Sequence, residues 1–169
     1  SGPGPDRQAL MALMTAAARS PDHGKLEPWR FEVLEAVALT RLAALTVGRG
    51  SDLGLDPEKV KKAAAQFENA PLIVAVHSTP VPSEKIPLLE QQLSAGAVCL
   101  ALLNAALASG WAGNWLSGWM AHDPVFLREG HGLEAPSVVA GYIVLGREGS
   151  VPPDRPRPDI AGITTWTER

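Results

Sequence analysis

Residues Leu88–Ala108 constrain this chain more than any other stretch, because they read as one long helix that opens polar at Glu90, Gln91 and Gln92 and then turns apolar nearly all round. A helix without a polar face must sit at the centre of a core or at an interface between subunits. Its most apolar part, residues 95–108, is interrupted by Asn104 and falls short of the roughly 20 residues that cross a bilayer, so a buried helix is expected and no membrane partner. Gly110 stops it.

The other segments supply what such a helix packs against. Residues 6–19 place Leu10, Leu13, Met14 and Ala17 on one stripe, which predicts an amphipathic helix ending before Ser20-Pro21. The Pro- and Gly-bearing run 20–28 predicts a loop, and residues 29–35 alternate apolar and polar as a half-buried strand does. A short helix is expected over 40–47, a flexible glycine-rich connection over 48–54, and a helix to about Glu68 opened by Asp56 as N-cap and Pro57. Residues 71–77 form a continuous β-branched apolar run, the mark of a strand covered on both faces. A Pro-rich connection over 79–87, a short strand or extended turn over 111–118, a helix from Asp123-Pro124 to about Glu129 and a buried strand over 137–146 complete the order. This alternation predicts an α+β or α/β sandwich around a small mixed sheet: one domain over 6–169, preceded by a flexible lead at 1–5 and closed by a Pro-rich extended tail at 149–169.

Several kinds of chemistry fall away. With 46% apolar and 20% charged residues and a net charge of −3, the composition is that of an ordinary globular domain. Lys and Arg are scattered, so no nucleic acid partner is expected. Cys99 is the only cysteine, which excludes an intrachain disulfide, fits a reducing compartment and makes the cytoplasm the expected location; within the apolar helix it reads as an inert core thiol. His23, His77, His122 and His131 show no HxxxH or HExxH spacing and no cysteine partners, so no metal is expected. The run Gly48-Arg49-Gly50-Ser51-Asp52-Leu53-Gly54 has the wrong spacing for a dinucleotide loop, and Ser117 sits in no GxSxG elbow.

What remains is Arg19-Ser20-Pro21-Asp22-His23-Gly24-Lys25-Leu26-Glu27-Pro28-Trp29-Arg30-Phe31, at the join of the first helix and first strand. Taken singly, these residues read equally well as a helix-end cation, a solvated histidine and a core tryptophan, or as a site. Their order resembles the FMN-dependent nitroreductases, in which a helix ending in Arg leads through a Ser-Pro-Asp-His bend to Gln-Pro-Trp at a strand start; the Pro-Asp-His form is similar to the compact bacterial subgroup. Three further runs carry the same resemblance: Glu90-Gln91-Gln92-Leu93-Ser94-Ala95-Gly96, Gly110-Trp111-Ala112-Gly113-Asn114-Trp115-Leu116-Ser117-Gly118 and Val139-Ala140-Gly141-Tyr142-Ile143-Val144-Leu145-Gly146.

The resemblance implies an α+β fold, a three-layer α-β-α sandwich with a small, mainly antiparallel sheet and a central apolar helix. It also implies an interlocked homodimer with FMN between the subunits and the tail draped over the partner. Arg19, Pro21 and His23 would contact the cofactor, Glu27 would reach it from the other chain, and Trp115, Leu116, Ser117 and Gly118 would line the isoalloxazine. No side chain would act as a catalytic base, since flavin N5 carries the chemistry. NAD(P)H would be the co-substrate, and nitroaromatics, quinones or similar small molecules the electron acceptors in a ping-pong cycle. Three departures stand out: no Arg-Arg-Ser phosphate grip lies within these 169 residues, Leu116 replaces the family's Arg, and Glu27 replaces its Gln. Either that segment lies upstream of Ser1 or phosphate binding is impaired, and in the latter case Arg155 and Arg157 are the compensating cations. The alternative is a flavin or planar-ligand carrier or sensor without turnover.

Overall fold

In the computed structural model, residues 2–150 and 153–168 are described; Ser1 of the predicted lead and Val151, Pro152 and Arg169 of the predicted tail lie outside the described residues. Helix α1 (Arg7–Ala17) begins where the Asp6 carboxylate accepts the Ala9 N–H at 2.8 Å, a side-chain cap for one of the donors a first turn leaves orphaned. Strand β1 (Trp29–Leu34) leads into α2 (Ala36–Asp52) and α3 (Pro57–Glu68), the latter capped by Asp56 with Pro57 in its first turn. Strand β2 (Ile73–Ser78) is buried at every position, as its apolar run predicts. Then come α4 (Leu88–Ala108), β3 (Ala112–Leu116), α5 (Pro124–His131) and β4 (Val138–Gly146).

The strands hydrogen-bond in the order β1-β2-β4-β3, and all three pairings are antiparallel, where a mixed sheet is expected from the alternation of helices and strands. Because successive side chains of a strand point to opposite faces, β2 sends Val74 and Val76 to one layer and Ile73 and Ala75 to the other. The first layer is α1 and α4, packed through Leu10, Leu13, Val98 and Leu102; the second is α2, α3 and α5, packed through Leu42, Phe67 and Phe126. This is the α-β-α sandwich expected. Gly4 lies against Leu72 and Pro5 is buried, so the packed chain begins ahead of Asp6.

A second expectation needs correction. Residues 48–54 are not a flexible loop: α2 runs on through Gly48, Gly50 and Asp52 and ends only at Leu53. Packing overrides the loop signal. A Cβ on Gly50 would come within 2.6 Å of Val60 Cγ2, so this glycine permits close approach of α2 to α3 rather than chain reversal, and Arg49 ties the same turn to Asp123.

Helix α4 is long and apolar enough to cross a membrane by length and composition alone, yet Ala95, Val98, Cys99, Leu102 and Ala106 are buried against the sheet and α1. Its opposite face is apolar and uncovered, with Leu89 64%, Leu93 63% and Leu100 50% exposed. One face of the helix is thus buried as predicted, and the other stays exposed in the single chain. The tail over 153–168 forms no strand or helix beyond a turn near Ile160, and it leaves Ile160, Ile163 and Trp166 exposed.

Candidate functional site

After α1 the chain turns sharply. The Ser20 hydroxyl donates to the Ala17 carbonyl at 2.9 Å, and Pro21 and His23 emerge beside the first turns of α4. Ser94 of α4 pins this bend from below: its hydroxyl donates to the Pro21 carbonyl at 2.7 Å and accepts the buried Trp29 indole N–H at 3.1 Å. His23 Nδ1 meets Glu90 Oε2 at 2.7 Å, one helical turn before Ser94. The sequence motif contains Glu90 and Ser94 but marks neither as a site residue; their i, i+4 spacing, which puts both on one helix face, is the signal that identifies them.

The bend holds strained backbone. Lys25 and Glu27 adopt left-handed φ values of 55° and 47°, each at a cost of about 1–3 kcal/mol for a side-chain-bearing residue. Gly24 also has a positive φ, and any Cβ there would strike Ile86 Cδ1. Three groups hold the conformation: Asp22 accepts the Glu27 N–H at 2.7 Å, Arg30 donates to the Glu27 carbonyl at 2.8 Å, and the Thr79 N–H reaches the Pro28 carbonyl at 2.9 Å. The Glu27 side chain and Arg19 remain exposed, and Arg19 forms no ion pair among the described residues. Immediately behind Pro28, the Ser78 and Thr79 hydroxyls are buried without hydrogen-bond partners. Unmatched buried polar atoms are costly, and they cluster where a ligand or ordered water completes a site.

Trp115, Leu116, Ser117 and Gly118 lie elsewhere. Strand β3 is at the far edge of the sheet from β1, three strand spacings of about 4.8 Å away, or about 14 Å in all. Trp115 lies across β4 at Gly141, where a Cβ would collide with the indole, and remains 37% exposed. Leu116 is half-buried against the second core, and Ser117 is exposed. Just beyond Gly118 the Trp119 indole N–H is buried without a partner. The structure therefore brings Arg19, Pro21, His23 and Glu27 together, brings Trp115 to Gly118 together, and leaves the two groups towards opposite edges of the sheet.

Two further chemical groups are settled by burial. Burial pushes the Cys99 thiol up to about 12, so it is inert as expected. On the α5 side, Glu32, His77, His131 and Tyr142 form a hydrogen-bonded cluster that no sequence spacing announces.

Residues 2–147 match the family model described as Nitroreductase family. A protein of Escherichia coli named "Putative NAD(P)H nitroreductase YdjA" is 33% identical over 144 residues, covering 85% of this chain and 78% of its own. A "Putative NAD(P)H nitroreductase" of Haemophilus influenzae is 34% identical over 148 residues, covering 86% and 79%. Among solved structures, a nitroreductase-like family protein from Bacillus cereus superposes with a TM-score of 0.82 at 19% identity, covering 99% of this chain and 88% of that one. A Bacteroides fragilis nitroreductase with bound FMN gives 0.75 at 21% identity, covering 97% and 89%. At those identities the two structures speak to the fold.

Proposed function

Because the chain belongs to the nitroreductase family, we propose that it is an FMN-dependent NAD(P)H oxidoreductase whose cofactor sites form between two copies of the chain. The observation that carries this reading is the separation of the two candidate segments. The Arg19-to-Glu27 bend and the Trp115-to-Gly118 run sit on opposite edges of one sheet, each beside buried polar atoms without partners, and the apolar face of α4 is uncovered. A second copy laid on that face would bring one chain's bend to the other's β3 edge and complete two equivalent sites, as two-fold symmetry requires. The exposed tail with Ile160, Ile163 and Trp166 would drape over the partner and cover apolar surface there.

The residues fit the cofactor. Arg19 offers a cation and His23 an imidazole at the open bend, while Trp115, Leu116 and Gly118 offer an apolar wall on which a flat tricyclic ring packs. Held there, FMN would supply the redox chemistry that links NAD(P)H to a nitroaromatic, quinone or similar acceptor in a ping-pong cycle. The chain's own residues bind and orient; none is needed as a general base. Ser94 and Glu90 act as positioning residues, fixing the Pro21 carbonyl and the His23 ring. Glu27, where the family has Gln, brings negative charge to the cleft, and Arg155 is an exposed cation of the tail; Arg157 is held by Asp154 at 2.6 Å. We expect this enzyme in the cytoplasm.

The test is purification of the full chain with FMN, measuring flavin per chain, mass in solution and anaerobic bleaching of the visible flavin bands by NADPH and NADH. A dimer with one FMN per chain, bleached by either nucleotide and reoxidised by a quinone, supports the reading. Tight flavin binding without bleaching would turn it to the carrier or sensor, and a monomer without flavin would reject it.

A further inference from the structure

Away from the proposed cofactor cleft, on the α2 and α5 side of the sheet, two imidazoles aim at one carboxylate oxygen. His131 Nδ1 lies 2.6 Å and His77 Nε2 3.1 Å from Glu32 Oε2. The three come from the end of α5, from β2 and from β1, and their ligand-type atoms all lie within 4.8 Å of one another. The far nitrogen of His131 is held by the Tyr142 hydroxyl at 2.9 Å. His131's side chain is fully buried and His77's is 8% exposed, whereas Glu32 is 31% exposed and gives the cluster its one opening. The histidine rings stand nearly edge to face, 71° apart, so their nitrogens approach the carboxylate from different directions instead of stacking.

We propose that Glu32, His77 and His131 form a binding site for a first-row divalent cation such as Zn2+, with Tyr142 orienting His131 and a coordination position left open on the Glu32 side. Two imidazoles and one carboxylate are the donor set that borderline cations prefer, and three protein ligands leave room for water. The separations bracket those around an ion bonded at about 2.0–2.2 Å, so small side-chain shifts complete the geometry. Tyr142 stands where metal-bound histidines commonly have a carboxylate, a carbonyl or a water on their second nitrogen, and its hydroxyl oxygen can accept in the same way. Without metal, Glu32 as a carboxylate accepts from Nδ1–H of His131 and Nε2–H of His77, and the Tyr142 hydroxyl pairs with His131 Nε2. With metal, each histidine keeps its proton on the other nitrogen, and His131 Nε2–H then donates to the Tyr142 oxygen. Histidine spacing in the sequence does not register this arrangement, because Glu32 is 45 residues from His77 and 99 from His131.

The test uses the FMN-loaded full chain after chelator treatment, dialysed against Zn2+, with metal counted by mass spectrometry and its ligands read by X-ray absorption at the Zn edge. One Zn2+ per chain, bound through two imidazole nitrogens and oxygen, is expected. Glu32→Gln, which preserves the hydrogen-bonding shape, and His77→Gln should each weaken binding more than about 100-fold, and Tyr142→Phe by about 10–100-fold. The unsubstituted chain carries the decisive measurement, whatever the variants do to folding. Failure to retain stoichiometric Zn2+, an absorption edge without imidazole, or binding that Glu32→Gln leaves unchanged overturns the proposal.

Discussion

Two polar clusters lie on this sheet, and they are built in opposite ways. The bend over residues 19–28 is made from sequence neighbours, stands open, carries two left-handed side-chain-bearing residues and has orphaned hydroxyls behind it. The Glu32, His77, His131 and Tyr142 cluster is gathered from three strands and a helix, is largely closed over, and has both nitrogens of His131 matched. The open cluster leaves buried polar atoms unmatched, while the closed one is hydrogen-bonded within the chain.

The largest test of that contrast is aimed at α4. Leu93→Glu with Leu100→Glu places two charges on its uncovered apolar face. A lone charge buried in an interface costs about 3–5 kcal/mol, so the affinity of the proposed dimer should fall at least about 100-fold, read by light scattering after gel filtration. Flavin content should fall with it. A variant that stays dimeric with full flavin would show that the open site is completed some other way.

The next effect falls on the closed cluster. His131→Ala leaves a cavity and strands the Tyr142 hydroxyl, costing about 2–4 kcal/mol and lowering Tm by about 5–15 °C in a chain of this size. Flavin bound per folded chain should be unchanged. Loss of flavin before loss of fold would break the separation between the two clusters.

The same contrast explains what the sequence discloses. Pro21, His23 and Trp29 lie within one short run of the chain, so a bend tied to a strand start shows directly in their order, and Leu88–Ala108 announces its helix by composition. The antiparallel sheet order and the Glu32 cluster arise from strand pairing across long separations, which no local pattern encodes. Gly50 misleads for a related reason: glycine marks turns on average, but here Val60, ten residues on, needs the space. The distance between the bend and Trp115 was equally hidden, because it depends on β2 and β4 lying between them.

A smaller effect sharpens the open side. Ser94→Ala removes the acceptor of the buried Trp29 indole and the donor to the Pro21 carbonyl, at about 1–3 kcal/mol. Because the bend is strained and held from α4, the variant should bind FMN more weakly by fluorescence titration while Zn2+ uptake is unaltered. Equal FMN affinity would mean that the bend keeps its shape without Ser94.

The smallest effect concerns the framework of the closed side, where Arg49 of α2 grips Asp123 at the start of α5, Nε to Oδ1 at 2.9 Å and Nη2 to Oδ2 at 3.0 Å. Asp123 also caps α5 by accepting the Phe126 N–H at 2.8 Å. The Arg49 hydrogen bonds hold the Asp123 carboxyl below its ordinary 3.8, with the cap and the nearby positive charge acting in the same direction against burial. A carboxyl depressed in the folded state binds its proton more readily when unfolded, so its contribution is whole above the ordinary value. It declines as pH drops below 3.8 towards the folded value, and vanishes below both. Asp123→Asn keeps a capping side chain and removes the charge, so its Tm should lie below that of the parent at neutral pH and meet it in strong acid. Since α5 carries His131, this acid limb reports on the closed cluster's support and leaves the bend untouched. Parallel Tm curves for the two proteins from pH 7 to strong acid would show that the ion pair holds nothing together.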